Sequence, residues 1–267
     1  MTIDAGPVWM FCPADRPERY GKAAAAADVV IIDLEDAVAA SDKDAARQAV
    51  LDTPLDPERT VVRINPRSTP YFDADLAAVL TTQYRHVMVP KCESAEDVRA
   101  VAPLSVVALV ETPLGVLRAP EICATDGCVA MMWGAEDLIA ALGGASSRRS
   151  DGRYRDVAVH ARSAALLAAS AFGRLALDSV YLDIPDLDGL RAESEDAVAV
   201  GFGAKVALHP SQAAVIRECY TPSADQVDWA RRVVAAASTE RGVFTVDGRM
   251  VDAPVIRHAD RILRGVR

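Results

Sequence analysis

Aromatic residues are scarce in this chain, at 5% of a sequence that is 51% hydrophobic. The core must therefore be aliphatic, built from Ala, Val, Leu and Ile, which suits helices over a parallel sheet better than a sandwich. Basic charge is also short: 29 Lys and Arg stand against 38 Asp and Glu, a formal net charge of −9. That balance argues against a nucleic-acid partner, which calls for a basic face. It does not argue against an anionic small molecule, since one local Arg or Lys cluster suffices. The five cysteines (Cys12, Cys92, Cys123, Cys128, Cys219) are odd in number and contain no C-x-x-C. Neither zinc-ligand spacing nor a disulfide framework is present, and reduced thiols in a cytoplasmic protein are expected. Met1-Thr2-Ile3-Asp4 lacks the basic and apolar segments of a leader. No apolar run approaches the roughly 20 residues of a membrane span. A Gly-rich G-x-G-x-x-G is missing after the first strand, where Cys12-Pro13-Ala14-Asp15 stands, which counts against a doubly wound dinucleotide fold.

What is present is one grammar repeated. Residues 106–110 are apolar and end abruptly at Glu111 before Thr112-Pro113. A short apolar run closed in this way reads as a strand buried on both faces, as a parallel sheet requires. Further strands are expected at 8–12, 29–36, 60–66, 86–91, 128–133, 179–184 and 205–210. Between them lie helical stretches: one opening at Asp15-Arg16-Pro17 with Asp15 as cap, one from Asp42 to Leu51, then 73–83, 94–102, 156–172, 187–199 and one from Ser211. A polar loop from Gly143 to Tyr154 carries Arg148, Arg149 and Arg153. Strand and helix alternating about eight times at spacings of roughly 25 to 30 residues is the signature of a (β/α)8 TIM barrel. The barrel is complete near residue 220, giving a catalytic domain over 1–220 and a C-terminal extension over 221–267. In the extension a helix is expected at 224–240, a hairpin at 243–251 turning at Asp247-Gly248, and a last helix from Asp252 to Arg267. A hairpin and helix beyond a closed barrel have no place in its core, so they are expected over an edge or on a neighbouring subunit.

In a barrel the groups at the C-terminal ends of strands face the active site. Those ends supply Asp33, Glu35, Asp36, Arg63, Asn65, Lys91, Glu111, Glu136, Asp137, Asp183 and His209. Glu111 and Asp137, from adjacent strands, are hard oxygen donors suited to Mg2+, which takes one or two carboxylates and leaves other positions to water and substrate. Glu136 is expected to face away from Asp137, as neighbouring strand residues do. Asp33, Glu35 and Asp36 cannot all bind one ion, so they are expected to hold Arg63, Lys91 or metal-bound water. Arg63 either pairs with Asp33 or Glu35 or clamps an anionic substrate; the clamp is favoured. His209 is read equally well as a packed histidine. Arg16, Arg19 and Lys22 share one side of a helix, either as a solvated face or as a phosphate seat at a helix N-terminus. No Ser-His-Asp or Cys-His arrangement has a recognisable nucleophile context.

The motifs F-C-P-A-D-R-P-E-R (11–19), D-L-E-D-A-V (33–38), V-R-I-N (62–65), V-P-K (89–91), V-E-T-P-L-G (110–115), W-G-A-E-D-L (133–138), H-P-S-Q (209–212) and M-V-D-A-P-V (250–255) occur in order. Together they resemble the citrate lyase beta subunit-like branch of the aldolase and citrate lyase (HpcH/HpaI) family, over essentially the whole chain. The resemblance implies a Mg2+-dependent TIM barrel, usually a homotrimer, that makes or breaks a carbon–carbon bond beside a CoA thioester such as citramalyl-CoA or malyl-CoA. It implies that Glu111 and Asp137 are metal ligands and that Arg63 binds the substrate carboxylate and stabilises the enolate. Asp252 is then the catalytic acid–base, delivered from an adjacent protomer, with Arg16 and Lys22 near the CoA phosphates. The products are acetyl-CoA and a small keto acid. The competing readings are a citryl-thioester lyase subunit working with an acyl-carrier protein, a malyl-CoA-type thioesterase, an aldolase on free hydroxy-keto acids, and a non-catalytic barrel.

Overall fold

Apolar runs that end in a polar residue become the staves of a closed parallel barrel. In the computed structural model, which describes residues 6–240 and 242–265, the staves are β1 (Val8–Pro13), β2 (Val29–Asp33), β3 (Thr60–Arg63), β4 (His86–Val89), β5 (Ser105–Val110), β6 (Cys128–Trp133), β7 (Leu175–Asp178) and β8 (Ala204–Ala207). They pair in sequence order, and β8 closes on β1 through Val8 opposite Lys205 and Met10 opposite Ala207. The expected (β/α)8 architecture is the observed one, as is the antiparallel hairpin and helix that follow it.

Side chains alternate along each stave. Trp9, Val29, Ile31, Val61, Met88, Val107, Leu109, Ala130, Met132, Leu177, Ala204 and Val206 fill the barrel interior. Stepping two residues on from Ile31, Val61, Leu109 and Met132 reaches Asp33, Arg63, Glu111 and Gly134. The inward face thus turns from aliphatic to charged at the mouth, with a glycine beside the carboxylate. Residues of the other parity, Trp133, Asp178 and Lys205, are buried against the surrounding helices.

Those helices include α1 (Tyr20–Ala26), α2 (Lys43–Asp52), α3 (Phe72–Leu80), α4 (Ala95–Arg99), α5 (Pro113–Leu117), α6 (Ala119–Ala124), α7 (Ala135–Ala141), α8 (Asp156–Ala171), α9 (Leu187–Val200) and α10 (Pro210–Tyr220). Three expectations need correction. Strand seven is Leu175–Asp178 and not 179–184. Helix α8 stops at Ala171, Gly173 takes φ +63, and the chain enters the strand almost at once. Asp183 is consequently a loop residue, and the acid at the strand end is Asp178. Glu136 and Asp137 also lie on no strand: Gly134 is the N-cap position of α7, and both acids occupy its first turn, where carboxylates complement the helix dipole. At the start of the chain Asp15 caps nothing; a 3-10 turn at Pro17–Arg19 precedes α1, and its cap position is Arg16.

The chain divides into two compact units, Met1–Arg217 and Glu218–Arg267. In the second, α11 (Ala224–Ala237) opens with a capping box in which Ser223 and Gln226 satisfy each other's backbone N–H groups. Strands β9 (Phe244–Val246) and β10 (Arg249–Val251) turn at Asp247 and Gly248, both at positive φ, as an Asp-Gly hairpin demands. Helix α12 (Ala253–Arg264) starts at Asp252, whose side chain accepts the Val255 N–H at 3.3 Å. Val227, Ala230, Val233, Val251, Ala259 and Ile262 form this unit's core. The expected leader-free N-terminus at Met1 to Asp4 and the expected last residue of the final helix, Arg267, lie outside the described residues. Among the described residues no helix is long and apolar enough to cross a membrane, and Cys12, Cys92, Cys123 and Cys128 are buried free thiols.

Candidate active site

The charged mouth encloses a cavity of about 420 Å³ whose lining includes Phe11, Asp33, Asp36, Arg63, Glu111, Gly134, Glu136, Asp137 and Ser179. Glu111 follows the last residue of β5 and is 3% exposed. Its Oε1 accepts the Lys91 backbone N–H at 3.0 Å. Its Oε2 lies against Gly134, where an added Cβ would come within 2.7 Å. Burial, reinforced by Asp137 and opposed by Lys91, pushes the Glu111 carboxyl up to about 8. A buried carboxylate in that condition is one whose charged form lacks compensation, and a cation supplies it.

Asp137 reaches the same cavity from the first turn of α7. Between the two acids stands Lys91, its Nζ 3.4 Å from Asp137, 3.9 Å from Glu111, 2.5 Å from Glu35 and 3.8 Å from Asp36. Lys91 has φ +49, a left-handed conformation costing a non-glycine residue roughly 1 kcal/mol or more. That backbone geometry is what turns its N–H to Glu111 while its side chain turns to the acids.

Arg63 is paired. Its Nε and Nη2 donate to the two oxygens of Asp33 at 2.7 and 2.6 Å, and Nη1 lies 3.0 Å from Glu35. The structure therefore contains the ion pair that the sequence reading ranked below a clamp. Two of five guanidinium donors are used on Asp33, and Arg63 still faces the cavity while stacking 4.6 Å from the Phe11 ring. Burial opposes the charge, but Asp33 and Glu35 outweigh it and hold the guanidinium protonated.

A residue that the sequence reading passed over supports this corner. Lys43, buried on α2, donates to the carbonyls of Leu34 and Glu35 and to Asn65 at 2.6, 2.7 and 2.9 Å. Asn65 in turn donates its backbone N–H to Asp75. Lys43 lies outside every strand end, so only its place in an apolar helix face hinted at burial.

The donor set fits a hard divalent ion. Among the described residues no three His, Cys, Asp or Glu side chains form a ready cage. Two carboxylates opening on this cavity match Mg2+, which keeps positions for water and substrate.

The basic residues after β1 separate. Arg19 and Lys22 line a cleft of about 350 Å³ with Cys12, Pro13, His209 and Pro210. Arg16 is not among its lining residues and sits exposed, 3.9 Å from Asp15. His209 Nδ1 is 2.8 Å from Ser211 Oγ. Asp252 belongs to the other unit, where it caps α12.

A closed β/α barrel with two carboxylates and an arginine converging at the C-terminal mouth defines a class: barrel enzymes that stabilise oxyanions with a divalent metal and a guanidinium. The family model of the HpcH/HpaI aldolase/citrate lyase matches residues 8–210, and the chain belongs to that family. It is 62% identical to a citrate lyase subunit beta-like protein of Mycobacterium tuberculosis, over 97% of this chain and 95% of the other. The human mitochondrial citramalyl-CoA lyase is 31% identical over 87% of this chain and 76% of its own length. The crystal structure of Mycobacterium tuberculosis CitE in complex with magnesium, acetoacetate and coenzyme A superposes with a TM-score of 0.95 at 61% identity, covering 99% of both chains.

Proposed function

We propose that this protein is a Mg2+-dependent carbon–carbon lyase that cleaves, or forms, a 3-hydroxyacyl-CoA such as citramalyl-CoA or malyl-CoA, with acetyl-CoA and an α-keto acid on the other side. The convergence of Glu111, Asp137 and Arg63 on one cavity carries this reading. The magnesium, acetoacetate and coenzyme A bound by the CitE relative, and the citramalyl-CoA lyase name of the human one, support it.

Glu111 and Asp137 would hold the cation. When bound, Mg2+ acidifies the substrate hydroxyl and polarises its neighbouring carboxylate. Arg63, fixed by Asp33 and Glu35, presents its remaining donors to the oxyanion that develops as the C2–C3 bond breaks; preorganised donors need no reorientation at that moment. The hydroxyl gives up its proton to solvent water, the electron pair of the C2–C3 bond passes to the thioester, and the hydroxyl carbon becomes the keto group. Asp252 of an adjacent protomer would protonate C2 of the enolate, releasing acetyl-CoA, or remove a methyl proton in reverse. Arg19 and Lys22 would take CoA phosphates, with Arg16 in a lesser part. Delivery of Asp252 from a neighbour calls for an oligomer, and a cytoplasmic homotrimer is the assembly proposed.

The test is Mg2+-dependent release of acetyl-CoA from a panel of 3-hydroxyacyl-CoA thioesters, with Glu111→Ala and Asp252→Ala alongside. Activity on citramalyl-CoA or malyl-CoA that collapses in both variants is the expected result. Activity indifferent to both changes would overturn the assignment. Turnover that requires an added acyl-carrier protein would favour the citrate lyase subunit, and CoA release without a keto acid would favour a thioesterase.

A further inference from the structure

The catalytic cavity and the basic cleft beside it share a wall. Phe11, Pro13 and Leu208 line both spaces. They meet where the barrel closes, Phe11 and Pro13 at the end of β1 and Leu208 just past the end of β8. All three are partly exposed. The wall is apolar and short of donors: proline has no N–H, and the Leu208 N–H is spent on Gln212 at 2.8 Å. Arg19 and Lys22 stand on one side of it and Arg63 on the other. A ligand that fills both spaces is therefore anionic at each end and uncharged where it crosses. A free hydroxy-keto acid has no use for such a crossing, whereas an acyl group joined through a thioester to a phosphate-bearing arm does. Phe11 meets Arg63 as well, its ring centre 4.6 Å from the guanidinium carbon. Hydrogen bonds from a guanidinium lie in its plane, so Asp33 and Glu35 fix Arg63 sideways and resist its tipping less. The Phe11 ring covers one face and opposes the tipping, with a cation–π attraction besides.

We propose that Phe11 is a positioning and specificity-determining residue: its ring holds one face of Arg63 and forms the crossing at which a thioester passes from the basic cleft into the catalytic cavity. The inference rests on the lyase reading of the site. Through Arg63 the ring acts on the oxyanion that develops during bond cleavage, which is a matter of kcat. Through the crossing it acts on the uncharged stretch next to the thioester sulfur, which is a matter of binding and separates a thioester from a free acid.

The experiment is steady-state kinetics on the preferred 3-hydroxyacyl-CoA, with Mg2+ titration and thermal denaturation alongside. It compares wild type, Phe11→Leu, Phe11→Ala and Phe11→pentafluorophenylalanine. The fluorinated ring keeps an aromatic shape but loses the negative face that draws a cation. It is expected to lower kcat about tenfold with KM, Mg2+ affinity and melting temperature close to wild type. Phe11→Leu keeps the crossing apolar without a ring face, so kcat should fall to a similar extent at nearly unchanged KM. Phe11→Ala opens the wall as well, and KM for the CoA thioester should rise several-fold more than the inhibition constant of the matching free hydroxy acid. Wild-type kcat in the fluorinated enzyme would overturn the holding of Arg63. Equal shifts for thioester and free acid in Phe11→Ala would overturn the crossing. Loss of Mg2+ affinity in step with kcat in every variant would reduce Phe11 to packing and overturn both. A wild type that turns over no thioester in the panel would sink the lyase reading itself, whatever the variants do.

Discussion

At the scale of single residues the chemistry turns on one carboxyl group. Glu111 has one oxygen fixed by a backbone donor and sits almost wholly out of water, so its charge is costly until a cation arrives. Because burial lifts its titration from the ordinary 4.5 to about 8, metal binding below that pH must expel a proton. Mg2+ affinity is therefore expected to climb by up to about tenfold per pH unit below about pH 8 and to flatten above it. Calorimetry in buffers of different ionisation enthalpy will count the released proton, and Glu111→Gln should abolish both binding and its pH dependence. The sign for stability follows from the same shift. The metal-free fold binds more protons than the unfolded chain between about 4.5 and 8, so the contribution of protonated Glu111 is complete below that window and is lost as pH rises through it.

At the scale of elements, what matters is how a strand end or a helix cap aims a side chain. Gly134 joins β6 to α7 at φ −126, a conformation any residue adopts, so its absence of a side chain serves space and not backbone freedom. Gly134→Ala would put a Cβ 2.7 Å from Glu111 Oε2 and 2.9 Å from its Cβ. The expected outcome is Mg2+ affinity reduced about tenfold or more with a melting temperature moved only slightly, read by titration and thermal denaturation. Asp252 joins two roles, capping α12 and, under the proposed mechanism, moving a proton. Asparagine caps as well as aspartate does but carries no titratable group. Asp252→Asn should thus lose activity at unchanged stability, whereas Asp252→Ala should also destabilise its unit by about 1 kcal/mol. Loss of activity in Ala alone would assign Asp252 a structural role only.

At the scale of the whole molecule, a buried ionic network ties the last third of the barrel together. Lys205, fully buried, donates to Asp178, to the Ser179 carbonyl and to Glu193, each at 2.9 Å. Asp178 also accepts from Trp133 and Arg162, both at 2.9 Å. Burial opposes the charge on Asp178, but Lys205 and Arg162 prevail and hold its carboxyl below the usual range. Lys205→Met leaves that carboxylate short of a partner and is expected to cost about 3–5 kcal/mol in denaturant unfolding. A second prediction concerns assembly. If Asp252 serves a neighbouring protomer, mixed oligomers of Glu111→Gln and Asp252→Asn chains will regain activity that neither variant has alone. Mixing without recovery would place Asp252 in its own subunit's site.

The sequence by itself determined the barrel, because a strand buried on both faces must be aliphatic throughout and can turn polar only where it leaves the sheet. Asp33, Arg63 and Glu111 were readable for that reason, and the Asp-Gly hairpin because few residues tolerate positive φ. Strand seven was misread because Ser179-Val180-Tyr181-Leu182 has strand-like composition, while the real strand is four residues long and was signalled only by Gly173 before it. Only the tertiary structure decided which charges meet: Arg63 with Asp33, Lys91 among four acids, Lys43 beneath Glu35, Asp178 with Lys205. Burial fixes those pairings by forbidding an uncompensated ion. The partner in each case lies on a different strand or helix, at a separation that local pattern does not encode.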